Sequence, residues 1–271
     1  MSGVSTVTFL SDYGLTDDFV GICHGVIARI CPEARVIDIT HGVPRHDVRT
    51  GAVILAESLP YIPVGVHLAV VDPDVGAQRR AVALECADGR LLVGPDNGLL
   101  WPAAEASGGV IQAADIARSR FRLAPVSATF HGRDIFAPVA AQLAAGTPLA
   151  ETGDPLDPDE LLTLTLPGSR RHGDALVAHV RYVDRFGNLQ LNAAHGDLAG
   201  TGLRLGRPAV LTLADGSTHG AQYVRTFADG GRGELLVYED AARRLAVAVA
   251  QGDAALTLGL AVDDELEIRA P

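Results

Sequence analysis

The chain has 271 residues, 48% hydrophobic and 20% charged, and its 33 acidic against 22 basic side chains leave a formal charge of -11. That composition describes a globular protein of one or two domains with ample core, excludes extended disorder, and argues against nucleic acid, since there is no basic run interleaved with aromatics. No uninterrupted apolar run reaches the roughly 18 residues of a membrane span, and Met1 to Ser5 lacks a basic stretch ahead of an apolar core, so a cytoplasmic protein acting on a cationic or zwitterionic small substrate is expected.

In chain order, Val4 to Leu10 reads as a strand, Phe19 to Arg29 as a helix, Arg35 to Ile39 as a strand, and Asp47 to Leu59 as a helix with apolar spacing near 3.6. Val66 to Val71, Ala81 to Glu85 and Leu91 to Val93 follow as strands, Gly94-Pro95-Asp96-Asn97-Gly98 as a turn, and Ile135 to Ala145 as a helix after a loop carrying His131. An apolar run from Val126 to Phe130 feeds that loop as a further strand. Strands alternating with helices predict an α/β domain with a mostly parallel sheet covered on both faces.

Between residues 146 and 174 the composition shifts, with Gly146, Pro148, Gly153, Pro155, Pro158, Pro167 and Gly168 among polar residues, and the domain boundary belongs there. The expected domains are 1-165 and 173-271. Beyond the boundary, short strands are predicted at Asp174 to Val183, Leu189 to Asn192, Pro208 to Leu213, Gly220 to Arg225, Glu234 to Tyr238, Arg244 to Val249 and Glu265 to Arg269. Separated by Gly, Asp and Asn turns, they read as an all-β barrel or sandwich.

Chemistry concentrates in two segments, Val70-Val71-Asp72-Pro73-Asp74-Val75-Gly76 with Arg79, and Thr129-Phe130-His131-Gly132-Arg133-Asp134. Ligands in open α/β sheets collect outside the carboxyl ends of the strands, so Asp72, Arg79 and His131 can converge on one pocket. Arg79 follows Asp72 across a turn that can fold back and pair them, either for catalysis or as an ion pair bracing the turn. Asp12 ends the first strand and is placed to accept ribose hydroxyls. Asp17 and Asp18 read either as ligand contacts or as caps of the next helix. Phe186-Gly187-Asn188 reads as a hairpin turn.

Three cysteines, Cys23, Cys31 and Cys86, lack metal-type spacing and suit buried thiols in a reducing compartment. The nine histidines show no zinc pattern, so no metal site is expected, and His24 and His41 read as core or turn residues. No nucleophile elbow, Walker sequence or correctly spaced dinucleotide fingerprint is present, which disfavours serine hydrolases, P-loop enzymes and NAD dehydrogenases.

These motifs, with Ser11-Asp12-Tyr13-Gly14, Ile37-Asp38-Ile39-Thr40-His41, Pro95-Asp96-Asn97-Gly98 and Asp184-Arg185-Phe186-Gly187-Asn188, resemble the S-adenosylmethionine (SAM) hydroxide adenosyltransferases, or SAM hydrolases, relatives of fluorinase and chlorinase. The resemblance spans nearly the whole chain. It implies an N-terminal Rossmann-like domain, a C-terminal β-barrel, and a homotrimer with sites between the first domain of one subunit and the barrel of its neighbour. It implies hydrolysis of SAM to adenosine and methionine without a cofactor, with Asp72, Arg79 and His131 activating water at ribose C5′. By the same resemblance Asp12 binds the ribose, Asp17 and Asp184 the methionine portion, Phe186 packs on adenine and Asn188 bonds its edge. Fluorinases replace this Asp by Tyr and the His-Gly pair by Tyr-Ser, and carry a first-domain insertion not found here. A SAM-dependent halogenase and a non-catalytic adenosine or SAM binder are the alternatives. The chain departs from the family at Asp74, where Gly is usual, and at Ala241, Ala242 and Ala250, where Ser and Asn are common.

Overall fold

The computed structural model describes residues 6–271; the predicted strand positions Val4 and Ser5, and the rest of the N-terminal pentapeptide, lie outside them. The chain divides into two compact units, Met1–Leu164 and Thr165–Pro271.

In the first unit, β1 (Thr6–Ser11), α1 (Phe19–Ile30), β2 (Arg35–Thr40), α2 (Val48–Ser58) and β3 (Val66–Val70) alternate, followed by β4 (Ala81–Cys86), β5 (Leu91–Pro95), α3 (Trp101–Ala106), β6 (Val110–Asp115), α4 (Ala137–Ala144) and β7 (Asp154–Leu156). Their sheet runs in the order β2-β1-β3-β5-β4-β6-β7. It is parallel from β2 to β5 and antiparallel from β5 to β7. Every residue of β1 is buried, as a central strand covered on both faces requires. Val7 and Phe9 pack with α1 and α4, while Leu10 packs with α2 and α3 on the other face. Fully burying side chains such as Phe9, Leu10 and Leu68 contributes roughly 1.5–3 kcal/mol each. Asp47 caps α2 by accepting Thr50 N–H at 2.9 Å.

From β1 the chain crosses to β2 on one side and then, through α2, to β3 on the other. The strand order therefore reverses between β1 and β3, the kind of switch point outside whose carboxyl ends open α/β sheets bind ligands. Ser11 and Val70 are register partners at that end, so the residues that follow them, Asp12 and the Val71-Asp72 pair, emerge side by side.

The second unit contains β8 (Arg170–His172), β9 (Ala175–Val183), β10 (Leu189–Ala194), β11 (Arg207–Leu213), β12 (Thr218–Tyr223), β13 (Leu235–Glu239), β14 (Arg244–Val249), α5 (Ala254–Leu258) and β15 (Glu265–Arg269). Its sheet order is β10-β14-β13-β12-β11-β15-β9-β8, and the pairing of β10 with β9 closes β9 to β15 into a barrel. The interior is aliphatic, built on Leu176, Val180, Leu189, Leu191, Leu211, Val247 and Ile268. The barrel rather than the sandwich is thus the fold of this half. No helix among the described residues is long and apolar enough to cross a membrane.

Candidate active site

Asp72 lies two residues beyond β3, and the loop from Asp72 to Arg79 turns back at Gly76. Gly76 has φ 83, and a Cβ there would collide with the Ala128 carbonyl, so the loop can lie on the Ala128 backbone only as glycine. This close approach seats the loop holding Asp72 and Arg79 against the segment that leads into His131.

That segment differs from the sequence expectation. Val126 to Phe130 forms no strand, and His131 does not lie in a loop but at the head of a helix whose first turn, Gly132–Phe136, is π-helical and runs on into α4. The cause is local. Pro138 has no N–H to donate to the Asp134 carbonyl, which instead accepts Leu123 N–H at 2.8 Å, and Ala137 N–H reaches back to Gly132. The Asp134 carboxylate accepts Ser127 N–H at 2.7 Å and the Arg133 Nε–H at 2.6 Å, pinning the irregular approach. Burial works against charge on Asp134, but the Arg133 and Ser127 hydrogen bonds overcome it and hold its carboxyl below the ordinary value.

Asp72, Arg79 and His131 meet. Arg79 Nε donates to Asp72 Oδ1 at 2.9 Å, Arg79 Nη2 donates to Asp72 Oδ2, and the same Nη2 donates to His131 Nδ1 at 2.9 Å. The side chains of Asp72 and Arg79 are 5% and 7% exposed, so this is a buried, bidentate ion pair with an imidazole attached. The Arg79 guanidinium also lies 5.2 Å from the Phe136 ring centroid. Because an arginine only donates, Nδ1 of His131 must accept, and a neutral ring carries its proton on Nε2. Burial first, then the Arg79 charge, lowers the His131 pKa below its ordinary value, against smaller opposing effects of Asp72, Asp134 and the Ser127 backbone. The set is therefore a carboxylate, a permanent cation and a neutral imidazole held in one line.

One member of the site carried no signal of its own in the sequence. The Tyr13 hydroxyl stands where a Cβ on residue 132 would be, so glycine at 132 and tyrosine at 13 fit only together. Burial raises the Tyr13 pKa well above its ordinary value, and Cys23, Asp12 and Asp72 add to the effect. Its place in the Ser11-Asp12-Tyr13-Gly14 motif is the hint that sequence offers. The Pro95-Asp96-Asn97-Gly98 motif braces the same region: Asn97 Nδ2 donates to the Val71 carbonyl at 2.9 Å, and Asp96 accepts Arg80 Nε–H at 2.8 Å and Leu162 N–H at 2.9 Å.

Asp12 accepts His46 N–H at 3.0 Å and remains half-buried at the switch point. Asp17 is exposed in the turn before α1, and Asp18, at the N-cap position, makes no side-chain capping bond. The three cysteines are free and buried, and burial pushes Cys23 and Cys86 up to about 12, which leaves both as unreactive thiols.

Residues 7–153 match the SAM hydroxide adenosyltransferase N-terminal domain, and residues 178–267 match the C-terminal domain of the same family. The chain belongs to the SAM hydroxide adenosyltransferase family. It is 51% identical to a protein of Salinispora tropica named (R)-S-adenosyl-L-methionine hydrolase, over 100% of both chains. Fluorinase relatives are more distant, such as one from Actinoplanes at 31% identity over 91% of both chains. A crystal structure of an uncharacterized conserved protein from Thermotoga maritima superposes with a TM-score of 0.90 at 35% identity, covering 97% of this chain and 99% of that one.

Within the barrel unit of this family member, Asp184 to Asn188 connects β9 to β10 as a tight turn. Asp184 Oδ1 accepts the N–H groups of Phe186 at 2.8 Å and Asn188 at 3.0 Å, while Oδ2 accepts Asn188 Nδ2 at 2.8 Å. The Gly187 carbonyl accepts the N–H groups of Ala254 and Ala255 at the start of α5. Asn188 is buried, whereas Phe186 is 68% exposed, an aromatic ring held out by a rigid turn. The hairpin-turn reading of Phe186-Gly187-Asn188 describes the backbone correctly. At the departures from the family pattern, Asp74 is exposed, Asp240 accepts Ala242 and Arg244 N–H groups at 2.8 Å in the β13–β14 turn, and Ala250 is buried.

Proposed function

We propose that this chain hydrolyses S-adenosyl-L-methionine to adenosine and L-methionine by in-line attack of water or hydroxide at ribose C5′. The observation that carries this reading is the continuous Asp72–Arg79–His131 set beside the switch point of the sheet. The name of the Salinispora tropica relative supports the substrate.

Methionine leaves from the sulfonium as a neutral thioether, so the leaving group requires no proton. The demand falls on the nucleophile, because bulk water has a pKa of about 15.7. Arg79 and the neutral His131 favour a hydroxide-like water by donating to it, while Asp72 holds Arg79 in place and accepts a hydrogen bond or the proton from that water. Attack of an anion on a sulfonium cancels charge, so a water-poor pocket assists the step. Alignment of oxygen, C5′ and sulfur contributes much of the rate. No cofactor takes part in this scheme.

In this reading Asp12 binds the ribose hydroxyls and Asp17 the methionine portion. On the barrel, Phe186 stacks on adenine, Asn188 bonds its edge, and Asp184 uses acceptor capacity left over from the turn to hold the methionine ammonium. A homotrimer, in which the barrel of one subunit completes the site on the first unit of its neighbour, brings these groups together, and the enzyme works in the cytoplasm.

Incubation with S-adenosylmethionine in oxygen-18 water, with and without chloride, tests the reaction. Labelled adenosine with methionine, independent of chloride, is the expected result. A 5′-chloro product would assign the halogenase reaction instead, and bound ligand without product would leave a binding protein.

A further inference from the structure

His24 projects from α1, Asp38 from β2, and His41 follows β2. Their ligand atoms lie within 4.8 Å of one another, forming a cluster of two imidazole nitrogens and one carboxylate oxygen. His24 Nε2 is 2.8 Å from Asp38 Oδ1, and His41 Nε2 is 3.1 Å from the same oxygen. No hydrogen bond in the Asp72–Arg79–His131 set involves any of the three.

His41 makes the cluster more than a surface ion pair. It is 4% exposed, yet its Nε2 has no hydrogen-bond partner, because the ring direction misses Asp38 Oδ1 despite the short distance. Its other nitrogen, Nδ1, lies 2.7 Å from Ser11 Oγ, and the ring is packed edge-on against Phe9 with centroids 4.7 Å apart. A serine oxygen accepting Nδ1–H leaves a lone pair on Nε2, and that arrangement is how an outer hydrogen bond orients a metal-ligating histidine. At 3.1 Å, Nε2 and Asp38 Oδ1 are close enough for one cation to ligate both. The His24 and Asp38 side chains are 35% and 40% exposed, so the cluster opens to solvent on one side, giving an entry path and a position for water.

We propose that His24 Nε2, His41 Nε2 and Asp38 Oδ1 bind one divalent transition-metal ion, with zinc as the preferred occupant and water completing a tetrahedron. Two imidazoles and one carboxylate suit Zn²⁺ and its cobalt substitute and do not suit Mg²⁺ or Ca²⁺, which take oxygen ligands. The ion would tie α1 to the end of β2 and, through Ser11, to the turn that carries Asp12. This proposal stands apart from the hydrolysis reaction and does not depend on it.

The test is titration of chelator-treated full-length protein with Zn²⁺ by calorimetry, and with Co²⁺ by visible absorption. One equivalent per chain, the intense visible bands of four-coordinate Co²⁺, and displacement of Co²⁺ by Zn²⁺ are expected, with no response to Mg²⁺. His24→Gln changes a partly exposed residue and should abolish binding while leaving the metal-free melting temperature unchanged. Ser11→Ala should weaken Zn²⁺ binding roughly 10-fold by releasing the His41 ring. Absence of Zn²⁺ or Co²⁺ binding, octahedral-type pale Co²⁺ spectra, or unchanged binding in His24→Gln would overturn the assignment and leave the cluster as a carboxylate shared by two histidines.

Discussion

Arg79 Nη2 donates to both Asp72 and His131, so one nitrogen couples the carboxylate to the imidazole. Lysine cannot reproduce that fork, since its ammonium is a single point charge. Arg79→Lys should therefore lower kcat by about 100-fold or more, within the range for loss of positioned proton-transfer groups, and Asp72→Ala by at least as much. Asp72→Ala also strands a buried guanidinium and should cost roughly 3–5 kcal/mol of stability, read from chemical denaturation. Wild-type turnover in either variant would remove these residues from the mechanism.

If His131 acts in its neutral form, it sets the acid limb of the reaction's pH dependence. Its pKa is lowered in the folded protein, so the acid limb of kcat/KM should fall below pH 6.5, the ordinary histidine value. An acid limb at or above that pH would mean that His131 acts in its protonated form. His131→Asn should abolish the limb along with most of the activity.

Stability has a separate acid dependence at His67, which is fully buried with Nδ1 2.9 Å from Thr8 Oγ1. Burial, helped by Arg90, lowers its pKa from 6.5 to about 4. The unfolded chain then binds this proton more readily than the folded one, so stability is intact above pH 6.5 and is lost as pH falls through about 4. The loss amounts to about 3 kcal/mol. Melting temperature measured against pH should show this slope in the wild type and a shallower one in His67→Asn; equal slopes would assign the acid sensitivity elsewhere.

Gly132→Ala places a methyl group in the space of the Tyr13 hydroxyl. It should destabilise the protein by roughly 1–3 kcal/mol and lower kcat by displacing His131. Tyr13→Phe removes the clashing oxygen, so the double variant should recover most of that stability. Failure of the second change to rescue the first would show that the strain lies elsewhere.

Phe186 is exposed and contributes little to the barrel core, so Phe186→Ala should shift stability by no more than about 0.5 kcal/mol. If the ring stacks on adenine, KM for S-adenosylmethionine should rise by roughly 5- to 100-fold, the equivalent of about 1–3 kcal/mol of base–aromatic stacking. An unchanged KM would exclude Phe186 from the adenine site.

The long buried strands and amphipathic helices were readable because their burial leaves a period in the sequence: β1, α1 and β3 lie within a residue or two of their expected limits wherever they are described. Short elements were not. β7 has only Asp154–Leu156, set in a Pro- and Gly-rich stretch that reads as linker, yet it extends the first unit's sheet by pairing with β6 and packs Leu156 on the core. Val126 to Phe130 has strand composition but no strand partner, and the carboxylate that fixes it, Asp134, belongs to the following helix. The motifs carrying Asp72, Arg79 and His131 do meet in the structure, but the Tyr13–Gly132 fit is a contact between distant segments and leaves no periodic trace. His24, Asp38 and His41 escape spacing rules for the same reason, being supplied by a helix, a strand and a loop.

Closure of the barrel joins β9 to β15, with Leu176 opposite Ile268 and His179 opposite Glu265. During synthesis on the ribosome, β9 meets β8 and β10 long before β15 exists, so the ring stays open, with unpaired edges, until β15 is made. A truncation before Glu265 would leave that seam permanently open, and the exposed edges of β9 and β11 would become the first places for this protein to aggregate.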